Sequence, residues 1–320
     1  MLRKALTLLI AMLAVAGFLS VIVSAVVIVN LRTTDVKGIS GAPPKPMLPL
    51  PIAEERYLDL MKRVLTRYGF EAYERRGGQR GAFASWVYSV LDHALAARGE
   101  AIVKYDPAVW TNREEGRGWP SSAETMIGLK RMDNIQFCVT DVIRQKVPGD
   151  LIECGAWRGG ACIFMRAILA AYEVKDRLVW VSDSFEGLPN PKEDQYPEAH
   201  IWQGGEMAVS LEEVRGNFRK YGLLDDQVKF LKGFFIDTLP KAPIERLAVL
   251  RVDGDLYESV TQTLNYMYPK LSPGGYVILD DYGDHLPPAK KAVDDYRSTH
   301  GITAPLKRID YSGAFWQKPK

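Results

Sequence analysis

Short apolar runs alternate with helical segments in the second half of the chain, and this alternation constrains the fold most strongly. The runs have the length of buried strands, and the longer segments that separate most of them show helical spacing of apolar residues. Strands joined in this way run parallel through right-handed crossovers. The sequence therefore predicts an α/β fold with a mostly parallel sheet. The predicted strands are 151–154, 177–182, 228–231, 247–252 and 276–279, and the predicted helices are 160–173, 210–221, 257–269 and 287–299.

Further elements are predicted on both sides of this region. Residues 53–68 and 122–146 carry apolar residues at helical spacing. The tail, 305–318, contains two candidate strands around Gly313, which we expect to pair antiparallel at the sheet edge. Together they predict a helical N-terminal extension and a mixed edge on the sheet.

The N-terminus carries a long uncharged apolar run. No charged residue occurs from Ala5 to Leu31, and about 20 such residues cross a bilayer as a helix. The alternative is a cleaved signal peptide, whose apolar core is usually only about 7–15 residues long. The sequence thus predicts a transmembrane anchor over 1–31. Five prolines within residues 41–51 then predict an extended spacer over 32–52, with a proline-rich docking motif as the alternative.

Composition excludes several classes of function. The net charge is +2, and no block of Lys and Arg with interleaved aromatic residues occurs, so we expect no nucleic-acid partner. The three cysteines form no C-x-x-C pair, which argues against a disulfide framework and favours a reducing compartment.

Ligands of open parallel sheets bind beyond the carboxyl ends of the strands, so the functional residues are expected just after each strand. The first strand ends in E-C-G-A-W-R-G-G, residues 153–160. Its glycines allow a ligand to approach the backbone, and the next helix offers free N–H groups. The motif is not G-x-G-x-x-G, and Glu153 would repel a pyrophosphate but suits an ammonium or hydroxyl group. An ordinary strand-to-helix turn is the alternative.

The next two strand ends fit a nucleoside. The second strand ends in S-D-S-F-E-G-L-P, residues 182–189, where Asp183 is placed to accept hydrogen bonds from ribose hydroxyls. Phe185 is a candidate for stacking on a base. Gly233 follows the third strand and would let an adenine edge reach the backbone. The alternative is a turn with a capping Asp.

The last two strands end in carboxylates. Asp253 ends the fourth strand, and Asp280 and Asp281 end the fifth. Because these strands are expected to be neighbours, the three carboxylates should converge, and a cation would allow them to stay ionised together. Oxygen ligands suit Mg²⁺, or Mn²⁺ or Ca²⁺. The alternative is that one of these Asp residues is exposed to water and another caps the helix near Pro287. We expect Asp255 to cap the helix after the fourth strand.

These motifs together resemble the TylF/MycF/NovP family of macrocin-type O-methyltransferases. The resemblance covers roughly 53–320 and includes Y-L-D-L-M-K, T-M-I-G-L-K-R-M-D-N-I, V-D-G-D-L-Y-E-S and P-G-G-Y-V-I-L-D-D-Y. It implies a class I, Rossmann-like fold that uses S-adenosylmethionine (SAM). It also implies a divalent metal at Asp253, Asp280 and Asp281 and a mobile lid, for which 190–209 is the candidate. The candidate SAM-binding residues are Glu153, Gly155, Arg158, Gly159, Asp183, Ser184, Phe185 and Gly233.

The resemblance completes a predicted domain plan. It comprises a transmembrane anchor (1–31), a proline-rich linker (32–52), a helical substrate region (53–120) and a SAM-binding domain (121–320). Since SAM is made in the cytoplasm, we expect a single-pass membrane protein with a cytoplasmic catalytic domain. The anchor departs from the family pattern and leaves open a membrane-associated lipid or glycan as acceptor. A homo-oligomer is left open as well.

The predicted function is methyl transfer from SAM, assisted by Mg²⁺, to a hydroxyl of a sugar, glycan or natural product. Asp253 is a candidate for both ligand and base, and His285 is the alternative base because its pKa suits proton transfer at neutral pH. A surface position is the alternative for His285. Two other functions stay open at this point: a membrane-tethered, non-catalytic nucleoside-binding protein and a metal-dependent phosphotransferase.

Overall fold

The predicted alternation of strands and helices is present in the computed structural model. The structure describes residues 53–70, 72–75, 89–90, 93–96, 98, 103–106, 110–190 and 203–320. The strands are β1 (Ala72–Arg75), β2 (Val103–Asp106), β3 (Asp150–Cys154), β4 (Val179–Asp183), β5 (Val228–Lys232), β6 (Leu247–Val252), β7 (Leu271–Leu279), β8 (Lys307–Arg308) and β9 (Ala314–Gln317). The helices are α1 (Ala53–Thr66), α2 (Trp110–Glu115), α3 (Leu129–Arg144), α4 (Gly160–Ala171), α5 (Leu211–Lys220), α6 (Phe235–Thr238), α7 (Tyr257–Met267) and α8 (Pro287–Thr299), and single 3₁₀ turns cover Leu239–Lys241 and Tyr268–Lys270.

Seven strands form one mixed sheet in the order β5-β4-β3-β6-β7-β9-β8. Adjacent strands from β5 to β7 are parallel, whereas β9 is antiparallel to both β7 and β8. The mostly parallel sheet and the antiparallel C-terminal pair are therefore confirmed. The strands β4 and β5 follow β3 on one side of the sheet, and β7 follows β6 on the other side. The strand order therefore reverses between β3 and β6, and ligands of such sheets bind beyond the strand ends at this point.

Each face of the sheet is covered by its own helices because successive strand residues point to opposite faces. On β3, Leu151 belongs to a buried apolar cluster that includes side chains of α1, α3, α4 and α5, whereas its neighbour Ile152 belongs to a second cluster with side chains of α7 and α8. β6 repeats the pattern with Val249 and Leu250. The strands are thus buried on both faces, as parallel strands require.

The region before the sheet holds elements that the sequence did not predict. β1 and β2 form a two-stranded antiparallel sheet, and α2 is a third such element. Four-residue strands and a six-residue helix are too short to establish a period. The predicted boundaries of the segments at 31, 52 and 120 stay predictions.

The transmembrane part of the fold prediction is corrected. No helix in the described ranges is long and apolar enough to cross a membrane. The longest of them, α3, has 16 residues and carries several charged side chains, whereas a span needs about 20 apolar residues. The predicted anchor (1–31) and linker (32–52) lie outside the described residues. The described residues therefore form an α/β domain that contains no such helix, and the predicted single-pass membrane location is withdrawn.

Candidate active site

A cavity of about 670 Å³ opens at the carboxyl ends of the parallel strands. The residues after β3, β4, β6 and β7 contribute to its walls, together with the segment before α3 and the turn before β9. The predicted site residues that line it are Glu153, Gly155, Asp183, Ser184, Asp253, Asp280, Asp281 and His285.

The glycine turn after β3 brings two strand ends into contact. Gly155 has a φ of +96°, and a Cβ atom there would lie 1.6 Å from the carbonyl oxygen of Asp253. Only glycine permits this approach. The turn then presents the N–H groups of Ala156 and Trp157, which donate to Asp183 Oδ2 at 2.8 and 3.1 Å. The ends of β3, β4 and β6 are therefore linked around the cavity.

Asp183 is itself oriented by backbone. Its Oδ1 accepts a hydrogen bond from the N–H of Phe185 at 2.8 Å, in addition to the two bonds at Oδ2. Burial raises the pKa of Asp183, and these hydrogen bonds oppose that rise. Ser184 Oγ donates to the carbonyl of Gly187 at 2.6 Å, which closes the turn after β4.

Four predicted SAM-binding residues do not line the cavity. The ring of Phe185 is buried and packs against Phe230, with centroids 6.4 Å apart, so it is not available to stack on a base. The guanidinium of Arg158 donates to the carbonyls of Ser121 and Ala123 and lies over Trp157. Gly159 and Gly233 also lie outside the lining. Three residues that were missed, Phe234, Phe235 and Ile236, contribute apolar side chains instead.

The ends of the predicted lid contribute to the cavity as well. Residues 191–202 lie outside the described residues. On either side of that stretch, Asn190, Glu206 and Met207 line the cavity. The N–H of Leu188 donates to the carbonyl of Glu206 at 2.9 Å, and the N–H of Gly205 donates to the carbonyl of Leu188 at 2.9 Å.

The predicted convergence of the three carboxylates is present. One oxygen each from Asp253, Asp280 and Asp281 lies within 4.8 Å of the others. The parallel register produces this arrangement, because Val252 of β6 pairs with Leu279 of β7 and the residues that follow leave the sheet side by side. Three oxygens at this spacing are a suitable ligand set for a hard divalent cation.

Two buried arginines, which the sequence analysis missed, neutralise part of this cluster. Arg251 lies within β6, and its guanidinium donates to Glu153, to Asp253 Oδ2 at 2.7 Å and to Asp280. Arg131 lies on α3 and pairs with Asp280 Oδ2 at 2.5 Å and, through Nε, with Asp310 Oδ2 at 2.8 Å. The signal for Arg251 was an arginine inside an otherwise apolar strand, L-A-V-L-R-V.

The arginines divide the cluster into two electrostatic parts. Burial alone would raise the pKa of Asp280, but Arg131 and Arg251 together hold it below its ordinary value. Burial raises the pKa of Asp253 and Asp281, and neighbouring carboxylates raise both further. Asp281 has no ion-pair partner among the described residues. Negative charge in excess of the local arginines fits a bound cation.

Asp255 does not cap α7, so that prediction is wrong. The helix has Leu256 at its N-cap without a side-chain hydrogen bond. Asp255 has a φ of +55°, and its N–H donates to Asp281 Oδ2 at 3.1 Å. Its carboxylate lines the cavity, and burial followed by the charge of Asp280 raises its pKa to about 7.

His285 lies at another part of the cavity wall. Its imidazole stacks on the ring of Tyr311, with centroids 5.1 Å apart and an interplanar angle of 25°. Arg117 also contacts the Tyr311 ring, at 4.0 Å from its centroid. His285 therefore belongs to an aromatic cluster and not to the carboxylate network.

The carboxylates predict a pH dependence for the metal-free protein. Asp255 titrates at about 7 in the native state and near 3.9 in an unfolded chain. Between these values the native state holds the extra proton, so stability falls as the pH rises from about 4 to about 7. Because a cation binds the ionised carboxylates, we expect saturating Mg²⁺ to raise Tm more at about pH 8 than at about pH 5.5. Thermal melts of the wild type and of Asp281→Asn, recorded with and without Mg²⁺ at both pH values, measure this difference in Tm.

The control for this experiment is Asp226→Asn, which removes an exposed carboxylate outside the cavity. It should respond to Mg²⁺ as the wild type does, whereas Asp281→Asn should lose most of the response. Equal Mg²⁺ effects at both pH values in the wild type would contradict the assignment of a cation to this cluster.

Comparison with known proteins agrees with this geometry. A family model described as Macrocin-O-methyltransferase (TylF) matches residues 54–318. The chain is 58% identical over 212 residues to demethyldecarbamoylnovobiocin O-methyltransferase of Streptomyces niveus, covering 65% of this chain and 80% of the relative. It is 44% identical over 270 residues to mycinamicin III 3''-O-methyltransferase of Micromonospora griseorubida, covering 82% and 96%.

A further relative and a solved structure extend the comparison. An 8-demethyl-8-(2,3-dimethoxy-alpha-L-rhamnosyl)-tetracenomycin-C 4'-O-methyltransferase of Streptomyces olivaceus is 48% identical over 269 residues, covering 83% of this chain and 93% of that one. The structure of the O-methyltransferase NovP superimposes with a TM-score of 0.71 at 48% identity, covering 83% of this chain and all of that one. The chain therefore belongs to the TylF family of macrocin-type O-methyltransferases, and it is a SAM-dependent O-methyltransferase with a class I α/β fold.

Proposed function

We propose that this enzyme transfers the methyl group of SAM to a sugar hydroxyl of a glycosylated natural product, with Mg²⁺ held by Asp253, Asp280 and Asp281. The acceptor class follows from the relatives, one of whose names specifies a rhamnosyl group. Family membership removes the reason to keep the non-catalytic and phosphotransferase interpretations. The observation that carries the metal assignment is the carboxylate cluster, whose negative charge exceeds that of its arginine partners.

The proposed SAM site uses the half of the cavity formed by β3, β4 and β5. The turn at Gly155 and the carboxylate of Glu153 would bind the amino-acid part, and Asp183 and Ser184 would bind the ribose. The apolar side chains after β5 would contact the adenine. Phe234 and Ile236 support this, since they line the cavity and are 38% and 49% exposed.

Two arginines orient one of the carboxylates of the proposed metal site. Arg131 and Arg251 hold Asp280 ionised and fix both of its oxygens, while Asp253 and Asp281 keep oxygens that face the cavity. A Mg²⁺ ion bound here would act as a Lewis acid toward the acceptor oxygen. The carboxylates would then orient the acceptor hydroxyl toward the methyl group, which is the main requirement for an in-line displacement.

The proposed general base is Asp255. Its carboxylate lines the cavity, and it has no ion-pair partner among the described residues. By contrast, Asp253 accepts a charge-assisted bond from Arg251 at 2.7 Å, and His285 is stacked on Tyr311. In the reaction, the acceptor oxygen bonds to the methyl carbon as the bond from that carbon to sulfur breaks. The hydroxyl proton passes to Asp255, and S-adenosylhomocysteine leaves as a neutral thioether.

The metal role is tested by methyl transfer from labelled SAM to two acceptors, demethyldecarbamoylnovobiocin and 8-demethyl-8-(2,3-dimethoxy-α-L-rhamnosyl)-tetracenomycin C. We expect transfer to at least one, loss with EDTA and recovery with added Mg²⁺. We expect Asp281→Asn to weaken Mg²⁺ binding in calorimetry by at least about tenfold, a loss that even outer partners of a metal site can cause.

Asp226→Asn is the matched control, and it should bind Mg²⁺ and turn over as the wild type does. Transfer that survives full chelation would refute the metal role. Binding of SAM without transfer to either acceptor would refute the acceptor class and leave the cofactor assignment intact.

The base is tested by comparing Asp255→Asn with His285→Gln. Loss of a general base typically lowers turnover by about 10²–10⁴-fold, so we expect this loss in kcat for Asp255→Asn, with SAM affinity unchanged in calorimetry. His285→Gln should lose much less. A larger kcat loss for His285→Gln would assign the proton transfer to the imidazole, and an unchanged kcat for Asp255→Asn would exclude Asp255.

A further inference from the structure

An exposed indole in the cavity wall has no role in the methyl-transfer chemistry derived above. Trp119 is 45% exposed, although it lines the same cavity as the carboxylate cluster. Large aromatic side chains contribute most when they are covered, and an apolar surface left open in a pocket marks a contact with a ligand. The position of Trp119 therefore indicates contact with a ligand that has an apolar face.

The backbone that carries Trp119 is held firmly. Gly116 and Gly128 are packed so closely that a Cβ atom on Gly128 would lie 2.3 Å from the Gly116 nitrogen. The N–H of Arg117 donates to the carbonyl of Asn112 at 2.8 Å. On the other side of Trp119, Arg158 binds the carbonyl of Ala123 at 2.9 Å. The indole is thus presented from a segment anchored at both ends.

A second set of contacts ties this segment to the acidic cluster. The hydroxyl of Tyr311 donates to the carbonyl of Gly116 at 3.1 Å. The Tyr311 ring contacts both Arg117 and His285. The neighbouring residue, Asp310, accepts from Arg131, which also binds Asp280. The position of the Trp119 segment is therefore coupled, through Tyr311 and Arg131, to the carboxylates that surround the reacting hydroxyl.

We infer that Trp119 is a stacking platform for the pyranose ring of the acceptor and that Tyr311 is a positioning residue for it; this rests on the proposed function. A pyranose has a face of C–H groups and an edge of hydroxyls. The indole contacts the C–H face through its apolar ring. The cavity carboxylates accept hydrogen bonds from the hydroxyl edge. One ring bound in this way directs a ring hydroxyl toward Asp253 and Asp255.

The test uses a sugar probe that does not depend on the natural acceptor. Saturation-transfer NMR is recorded on the full chain with S-adenosylhomocysteine, Mg²⁺ and methyl α-L-rhamnopyranoside. We expect saturation of the ring C–H protons in the wild type and in Trp119→Phe. In Trp119→Leu, which keeps an apolar side chain but no aromatic face, we expect binding about tenfold weaker.

Two further variants separate the platform from a general loss of structure. Phe137→Leu is the matched control, because Phe137 is an aromatic residue that is 48% exposed outside the cavity lining; it should bind the probe as the wild type does. Tyr311→Phe removes only the hydroxyl bonded to Gly116 and should weaken probe binding while leaving S-adenosylhomocysteine affinity unchanged. Melting temperatures check that all variants fold.

Calorimetry with SAM distinguishes failure of this inference from failure of the proposed function. Wild type that does not bind SAM overturns the proposed function. Wild type that binds SAM but shows no saturation of the rhamnoside overturns the platform alone, as does equal saturation in Trp119→Leu. Loss of SAM affinity in Trp119→Leu, with the rhamnoside still bound, would make Trp119 a cofactor contact and would also overturn the platform.

Discussion

The double ion pair on Asp280 is the interaction on which the rest of the site depends. Arg251 and Arg131 reach this carboxylate from a strand and from a helix, and all three side chains are buried. Removing one partner of a buried ion pair typically costs about 3–5 kcal/mol, because the other charge is left without compensation. The pairing therefore holds β6, β7 and α3 in one arrangement, and through Glu153 and Asp310 it includes β3 and the turn before β9.

The carboxylates of the cluster differ in how many arginines they are paired with. Asp280 has two cationic partners, whereas Asp253 has one and Asp281 and Asp255 have none among the described residues. The uncompensated carboxylates all face the cavity. The paired Asp280 thus belongs to the scaffold, and the unpaired carboxylates are the groups that we propose bind a cation and accept a proton.

The segment before the sheet connects this scaffold to the proposed acceptor site. Arg131 begins the link at the carboxylates, and Tyr311 continues it to Gly116, three residues before Trp119. The C-terminal turn participates in both halves, since Ser312 Oγ donates to the carbonyl of Asp280. The proposed acceptor site and the proposed metal site are therefore joined by one connected group of side chains.

The sequence by itself determined the alternation of strands and helices in the second half of the chain, the parallel sheet and the convergence of Asp253 with Asp280 and Asp281. These follow from local periodicity and from the rule that neighbouring parallel strands end at the same edge. Its prediction of a transmembrane helix is corrected, because no helix among the described residues is long and apolar enough to span a membrane. The sequence did not predict the protein contacts of two candidate residues: the ring of Phe185 packs against Phe230, and the guanidinium of Arg158 donates to a backbone carbonyl.

Only the tertiary structure decided which charges are paired. Arg131 lies 149 residues before Asp280, and Arg251 lies 98 residues after Glu153. No local pattern specifies contacts at such separations, since they depend on how the helices and strands pack. The same reason made Asp255 look like a helix cap, when a left-handed backbone in fact directs its N–H to Asp281 and its carboxylate into the cavity.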